Sequence, residues 1–350
     1  MSTVPHIDAI EGCLLGCAVG DSIGLPYEGM STRRARRFAR LPLRHRFILG
    51  KGMVSDDTDH TVFVAQALIR SGGDVDRFRR ILAWRLRLWL LCLPAGIGWA
   101  TLRSILRMWL GLRQCGVHSA GNGPSMRSGI IGAAVHSDAT RRRALVAAST
   151  CLTHTDPKAL AGALAVAEVA ARLAIGAWTS RPPTTEFIAL LREVSSDSDW
   201  RACVEAIATA CVAPDPIAAA HQCFADKGGV SGYVLQSVPF ALVAWHHHFG
   251  DFRATIESIV HAGGDVDTVA AIAGAMAGAA CGPAGIPSDW IDDIADLPHG
   301  TAYIRRLARA IADDSIRVAT HFSPALLPRN LVFTVLVLAH GFRRLAPPYG

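Results

Sequence analysis

From Gly263 to Ala280 the chain reads Gly-Gly-Asp-Val-Asp-Thr and then Val-Ala-Ala-Ile-Ala-Gly-Ala-Met-Ala-Gly-Ala-Ala. A helix this apolar on every side belongs inside a fold. Its acidic head is therefore drawn inward, where uncompensated carboxylates are costly. A second cluster, Ser55-Asp56-Asp57-Thr58, opens another apolar stretch. Either cluster alone reads equally well as a helix N-cap, because Ser, Thr and Asp satisfy orphan N–H groups and suit the dipole. Capping needs one oxygen, however, and Asp265, Asp267 and Thr268 offer three groups just after a Gly-Gly bend. Carboxylates gathered in one place require a positive charge. Hard divalent cations supply it, since Mg²⁺ and Mn²⁺ prefer oxygen and share bridging carboxylates. Taken together, the two clusters favour a two-metal site and hence an enzyme.

The 350 residues can hold one large domain or two modest ones, and with 51% hydrophobic and 18% charged residues a large helical core is expected. No stretch reaches the roughly 18 uncharged apolar residues of a membrane span. Ile81–Leu102 is broken by Arg85, Arg87 and Pro94, and Leu160–Trp178 by Glu168 and Arg172. The first residues, Met-Ser-Thr-Val-Pro-His-Ile-Asp, lack the plan of a signal peptide. Nine cysteines without a CxxC pair read as reduced core thiols, so a cytoplasmic protein is expected. Of the 35 basic residues only Lys51, Lys158 and Lys227 are lysine, a bias that need not be functional. The densest run, Arg33-Arg34-Ala35-Arg36-Arg37, reads as a solvated helix face; it carries no nucleic-acid motif.

Period-3.6 patterning dominates and alternating β-branched runs are nearly absent, which predicts an all-α fold. Helices are expected at Asp8–Gly20, Thr32–Ala39, Thr58–Ser71, Asp74–Leu91, Gly98–Leu110, Ser128–Ala134 and Ala139–Leu152. Seven more are expected at Pro157–Gly176, Thr185–Val194, Asp199–Val212, Ser231–His246, Asp251–His261, Thr268–Ala280 and Ala302–Asp313. One domain is read over 1–313, with 314–350 as an extension of unassigned role. In that extension Ser323–Arg329 has turn character and Leu331–Leu338 is an apolar run too short to span a bilayer. The triplet His246-His247-His248 reads as surface loop.

Near the N-terminus, Gly12, Gly16, Gly20 and Gly24 place small residues at helical spacing, suited to close helix packing, ahead of a turn carrying Glu28. With Ser55–Thr58, Pro94-Ala-Gly-Ile-Gly98, Gly121-Asn-Gly-Pro-Ser-Met-Arg127, Thr153-His154, Ser231-Gly-Tyr233 and Gly264–Thr268 they form an ordered set. On these motifs the chain from about Ile7 to Asp313 resembles the ADP-ribosylglycohydrolase family, which includes the dinitrogenase reductase-activating glycohydrolases.

The resemblance implies a compact all-α domain with two Mg²⁺ or Mn²⁺ ions at the bottom of a cleft. It carries the metal ligands onto Ser55, Asp56, Asp57, Asp265, Asp267 and Thr268; Ser55 departs from the usual threonine but keeps a hydroxyl. It places Glu28 as the proton-transfer group, with an aspartate such as Asp57 as the alternative base. Gly121, Asn122 and Gly123, read also as a turn able to cradle a diphosphate, are joined by His154 at the phosphates or ribose. Ser231, Gly232 and Tyr233 fall on the adenosine side, Tyr233 as a stacking ring. The implied reaction is hydrolysis of the bond from ribose C1″ to an acceptor, in an ADP-ribosylated protein or small molecule. Neither a membrane nor nucleic acid is an expected partner, although an ADP-ribosylated nucleic acid stays open as an acceptor, and a monomer is expected. Ser119-Ala120 stand where some arginine-specific members carry a carboxylate, which weakens an arginine acceptor unless an acid such as Asp138 supplies the contact. Two other readings are a non-catalytic ADP-ribose-binding protein and an immunity protein that blocks an ADP-ribosylating toxin; intact metal ligands argue against the first.

Overall fold

The computed structural model describes residues 6–47, 49–313 and 316–344. All its regular elements are helices, joined by loops that meet only in isolated bridges, so the fold is all-α. Each of the fourteen expected helices has a counterpart, most within two residues of the expected ends. Pro216–Phe224, Gly123–Met126, Ser288–Asp292 and Leu326–Arg343 were not expected as helices.

At the centre, the opening helix His6–Gly24 lies antiparallel against Val266–Cys281. The glycine spacing explains how closely. A Cβ at Gly12 would fall 2.1 Å from the Gly278 carbonyl oxygen, and one at Gly16 2.1 Å from that of Gly274. Gly20 meets Ala270 in the same way, and Gly24 reaches Asp267. No side chain fits between these backbones. The opening helix also has the length and composition of a membrane span, yet it is wholly buried in the protein, so its apolarity is used by the core. Gly16→Val is expected to lower stability by at least about 1–3 kcal/mol, the usual range for overpacking, read as a drop in melting temperature.

This pairing sets up the site. Because the helices run antiparallel, the turn leaving the first one brings Glu28 to the N-terminus of the second, where Asp265 and Asp267 sit. Helix Asp56–Ser71 packs against both and starts at the same place. Two helix N-termini thus point their positive ends at the acidic cluster, which favours negative charge there.

Near the C-terminus an 18-residue helix, Leu326–Arg343, packs on the segments just before Glu28 and just before Asp56. Phe333 packs with Leu25 and Met53, Asn330 Nδ2 donates to the Cys92 carbonyl at 2.9 Å, and His340 Nε2 lies 3.0 Å from the Pro26 carbonyl. Residues 314, 315 and 345–350 of the segment 314–350 lie outside the described residues. The histidine triplet differs from its loop reading. His246 and His247 end the helix Val234–His247, and His246 is buried, stacked on Phe187 and 3.0 Å from the Pro182 carbonyl. Three adjacent polar residues suggested solvent, whereas the helical turn sends the first of them into the core.

Candidate active site

A cleft of about 490 Å³ opens over the acidic cluster, within the roughly 300–1,000 Å³ typical of small-molecule sites. Asp56, Asp265, Asp267 and Thr268 line its floor, Glu28 stands at its lip, and the loops at Gly96–Thr101, Gly121–Gly123 and His154 form its walls. One carboxylate oxygen from each of Glu28, Asp265 and Asp267 lies within 4.8 Å of the other two. Asp57 stands buried behind Asp56, its Oδ2 accepting from the Ser55 hydroxyl at 3.1 Å and the Thr268 hydroxyl at 3.3 Å. Ser55 caps the helix, accepting from the Asp57 N–H at 3.3 Å. It reaches the cluster through Asp57 rather than lining the cleft.

The electrostatics show what the cluster lacks. Burial raises the Asp267 carboxyl well above its ordinary range, and Glu28, Asp265 and Asp57 raise it further. Asp57 is raised by burial and by Asp21, Asp56 and Asp265, and Asp56 by burial, Asp21 and Glu28. Glu28 is open to solvent at the lip but enclosed by protein on most sides; that burial, then Asp265, pushes its carboxyl up to about 7 against the pull of Arg344. The Oδ1 atoms of Asp57 and Asp267 are buried without a hydrogen-bond partner. Same-sign groups, unsatisfied oxygens and a donor set free of sulfur and imidazole fit hard divalent cations.

Around the floor, other contacts fix orientation. Asn122 Nδ2 donates to Asp265 Oδ2 at 2.7 Å. Its backbone N–H is already given to the Gly232 carbonyl at 3.0 Å, so the Gly121–Gly123 turn offers fewer free N–H groups than its sequence suggests. Small residues are required here, since a Cβ at Gly121 would fall 3.0 Å from His154 Nε2. A Cβ at Gly232 would fall 3.2 Å from Asp265 Oδ2. Arg127 donates to the Thr153 hydroxyl at 2.8 Å, leaving that hydroxyl to donate to His154 Nδ1, 2.9 Å away. His154 then carries its proton on Nε2, the nitrogen beside Gly121. Burial, and secondarily the charge of Arg127, push its pKa down to about 3, so it is a neutral donor at physiological pH.

Two expected contacts lie beside the cleft rather than in it. Ser231 Oγ donates to Gln236 Oε1 at 2.6 Å, and Tyr233, 40% exposed, caps the helix Val234–His247 opposite Gly121. Helix Val234–His247 starts three residues later than expected because these loop bonds hold Ser231–Tyr233 outside it. Asp138 caps the helix Ala139–Cys151 and does not line the cleft.

Three residues escaped the sequence reading. Asp21 is fully buried, and its Oδ2 accepts from the Ser55 N–H at 2.9 Å, the Thr58 N–H at 3.2 Å and the Thr58 hydroxyl at 2.5 Å. An acid near the end of a largely apolar helix, next to the Gly20 contact, was the available signal. Trp99, 72% exposed, stands on the cleft wall. Arg329, from the C-terminal helix, donates to Asp296 at 2.7 Å and to the Val54 carbonyl, and lies 3.7 Å from Asp59. Burial alone would raise Asp59, but Arg329 and the 2.6 Å bond from His299 hold it below the ordinary range. Asp296 in turn accepts from the Val54 N–H at 3.1 Å. The strand of backbone just before Asp56 is thus clamped from both sides. Arg329→Lys, which keeps the charge but loses the fork, is expected to weaken metal binding by about 10–100-fold, as loss of outer partners does. Calorimetric titration with Mn²⁺ checks it; unchanged affinity would make the clamp merely structural.

Known proteins resemble this chain over most of its length. The chain is 30% identical to an uncharacterized protein of Archaeoglobus fulgidus over 83% of its length and 92% of the relative's. It is 26% identical to the ADP-ribosyl-[dinitrogen reductase] glycohydrolase of Rhodospirillum rubrum, over 82% and 90%. A shorter match, 34% identical over 27% of this chain and 24% of the relative, is to an ADP-ribosylarginine hydrolase of Pseudomonas putida. A solved structure described as an ADP-ribosylglycohydrolase-related protein complex superposes with a TM-score of 0.68 at 26% identity, over 87% of this chain and 97% of that one. The ADP-ribosylglycohydrolase profile itself matches residues 2–320, so the chain belongs to the ADP-ribosylglycohydrolase family and is a hydrolase that removes ADP-ribose from acceptors.

Proposed function

We propose that this enzyme is a metal-dependent hydrolase that cleaves the bond between ribose C1″ and a protein side chain. The observation that carries the reading is the meeting of Glu28, Asp56, Asp265, Asp267 and Thr268 in one cleft. Asp56, Asp57, Asp265, Asp267 and Thr268, with Ser55 behind them, would hold two Mg²⁺ or Mn²⁺ ions. Such ions, when bound, neutralise the carboxylates and bind or polarise hydroxyls and water.

The chain's own groups supply the rest. Departure of the acceptor builds oxocarbenium character at the sugar, so negative charge beneath the ribose favours the transition state. Glu28, at the lip with a carboxyl raised to about 7, can hold or release a proton near neutral pH. Asn122 keeps Asp265 aimed into the cleft. His154 offers an N–H to a phosphate or ribose oxygen without adding charge. Trp99 gives the wall a flat apolar face. All nine cysteines are free thiols, which suits a reducing, cytoplasmic setting.

The named activities of the Rhodospirillum and Pseudomonas relatives make a protein side chain, and arginine first, the acceptor to test. Incubation with arginine- and serine-linked ADP-ribose should release ADP-ribose when Mg²⁺ or Mn²⁺ is present. EDTA should abolish release and added cation restore it. Full turnover after exhaustive chelation would overturn the metal-dependent reading.

A further inference from the structure

All three exposed tryptophans of the chain stand on one packed pair of helices, Val75–Leu91 and Trp99–Trp109. Trp84 is 54% exposed, Trp99 72% and Trp109 43%, while the other five are buried. Trp84 and Trp109 meet edge to face at 6.2 Å. The same two helices and the turns that follow them carry Leu91, Leu93, Leu106, Leu110 and Leu112, each about half exposed or more. Scattered apolar residues are ordinary on a surface, but a concentrated patch marks an interaction site.

The same helix pair is basic. A second cavity of about 380 Å³ lies at the far end of helix Trp99–Trp109, lined by Arg79, Arg80, Arg87 and Arg113 around Trp84, with Asp76 the one acid in its wall. Arg87 stacks over the Trp84 ring at 4.9 Å and donates to the Met108 carbonyl at 2.6 Å. Arg79, Arg80 and Arg113 make no ion pair among the described residues. Tryptophan and arginine are the residues most enriched in binding hot spots, and unpaired guanidinium groups suit carboxylates.

Position joins this patch to the cleft. Trp99 and Thr101, at the start of the helix, line the cleft, whereas Met108, near its end, lines the arginine cavity. At 1.5 Å per residue the two openings are separated by roughly 15 Å along one rigid element. A macromolecule whose ADP-ribose enters the cleft past Trp99 rests against this helix. We propose that this face is the docking surface for an acidic segment of the ADP-ribosylated protein, an inference that rests on the hydrolytic reading of the cleft. Five exposed leucines favour a protein over a nucleic acid, which has no aliphatic surface to match them. An extended peptide advances about 3.3 Å per residue, so acids five to eight residues from the modified side chain reach the arginines.

Three probes carrying the same ADP-ribosylated residue test this: the free amino acid, a peptide with glutamates at those positions, and its lysine counterpart. Wild type should favour the acidic peptide over the lysine peptide by about tenfold in kcat/KM, with the gap closing at high salt, as complementary charge does. In Arg80→Glu/Arg113→Glu the preference should vanish while turnover of the free amino acid stays unchanged. Arg80→Ala alone, on an exposed helix face, should show a partial loss and excludes misfolding as the cause. Binding of the unmodified labelled peptides, read by fluorescence anisotropy, follows the same surface without turnover. If no probe is hydrolysed but the acidic peptide still binds in an Arg80- and Arg113-dependent way, the hydrolytic reading fails and the surface stands. Equal binding of both peptides, or a preference for an ADP-ribosylated oligonucleotide over the acidic peptide, overturns the proposal.

Discussion

Asp267→Ala is expected to abolish turnover and yet leave a folded protein that, without metal, is more stable than wild type. Its carboxylate is buried, one oxygen has no partner, and its neighbours Glu28, Asp265 and Asp57 all repel it. Removing it takes away a proposed ligand, and relief from three same-sign neighbours should outweigh the loss of its hydrogen bond with Asp265. Metal affinity should fall by more than the roughly 10–100-fold that loss of an outer partner costs. The metal-free melting temperature should rise by about 1–3 °C, while the further rise on adding Mn²⁺ should disappear. The wild-type pH dependence follows from the same cause. Glu28, Asp57 and Asp267 have carboxyl pKa values raised by folding, so between their unfolded values and the folded ones the native state holds more protons. The contribution of these carboxyls to the stability of the metal-free protein then declines as pH rises from about 4 to about 7, the upper value being that of Glu28, while His154, lowered to about 3, contributes in the opposite sense over the lower part of that window. Asp59, lowered on folding, acts in the opposite sense only below that window. Melting curves at pH 5 and 7.5, with and without Mn²⁺, read both effects. Wild-type metal affinity in Asp267→Ala would return these acids to the role of helix caps.

What the sequence made legible was local. Gly-Asp-Val-Asp-Thr before an apolar run declares a buried helix with an acidic head, and Gly12, Gly16 and Gly20 declare close packing. Which helices those glycines face is a long-range fact. Only the antiparallel pairing, Gly12 to Gly278 and Gly24 to Asp267, brings Glu28 to the aspartates. Side-chain direction was equally hidden. Ser231 and Tyr233 belong to a motif beside the cleft, yet the Ser231 hydroxyl turns to Gln236, a bond no spacing announces. Arg329 was hidden for another reason. Its partners are Val54, Asp59 and Asp296, and its helix begins in a proline-rich stretch that reads as turn. The Pro328 ring sits within the first turn of Leu326–Arg343, where a missing N–H costs the helix nothing.

Glu28→Gln separates two roles that geometry alone leaves joined. Glu28 lies close enough to Asp265 and Asp267 to share a cation, and it also stands at the lip where a leaving group would need a proton. As the proton carrier, its amide would keep size and hydrogen bonding but could not exchange a proton at neutral pH. Turnover should then fall by about 10²–10⁴-fold, with affinity for Mn²⁺ and for ADP-ribose close to wild type. As a ligand, the amide would weaken Mn²⁺ binding along with turnover. The backbone is held in either case, because Arg344 donates to the Glu28 carbonyl at 2.7 Å and the Glu28 N–H reaches the Leu25 carbonyl. Loss of activity therefore cannot be put down to collapse of the turn. Calorimetry with Mn²⁺ and with ADP-ribose, beside product release on the same preparation, distinguishes the cases. We expect the first, since Asp56, Asp265, Asp267 and Thr268 already offer oxygens on the floor and Glu28 is the most solvent-exposed of these acids. Near-wild-type turnover would move the proton to Asp56, which faces the cleft, ahead of Asp57, whose Oδ2 is engaged by Ser55 and Thr268.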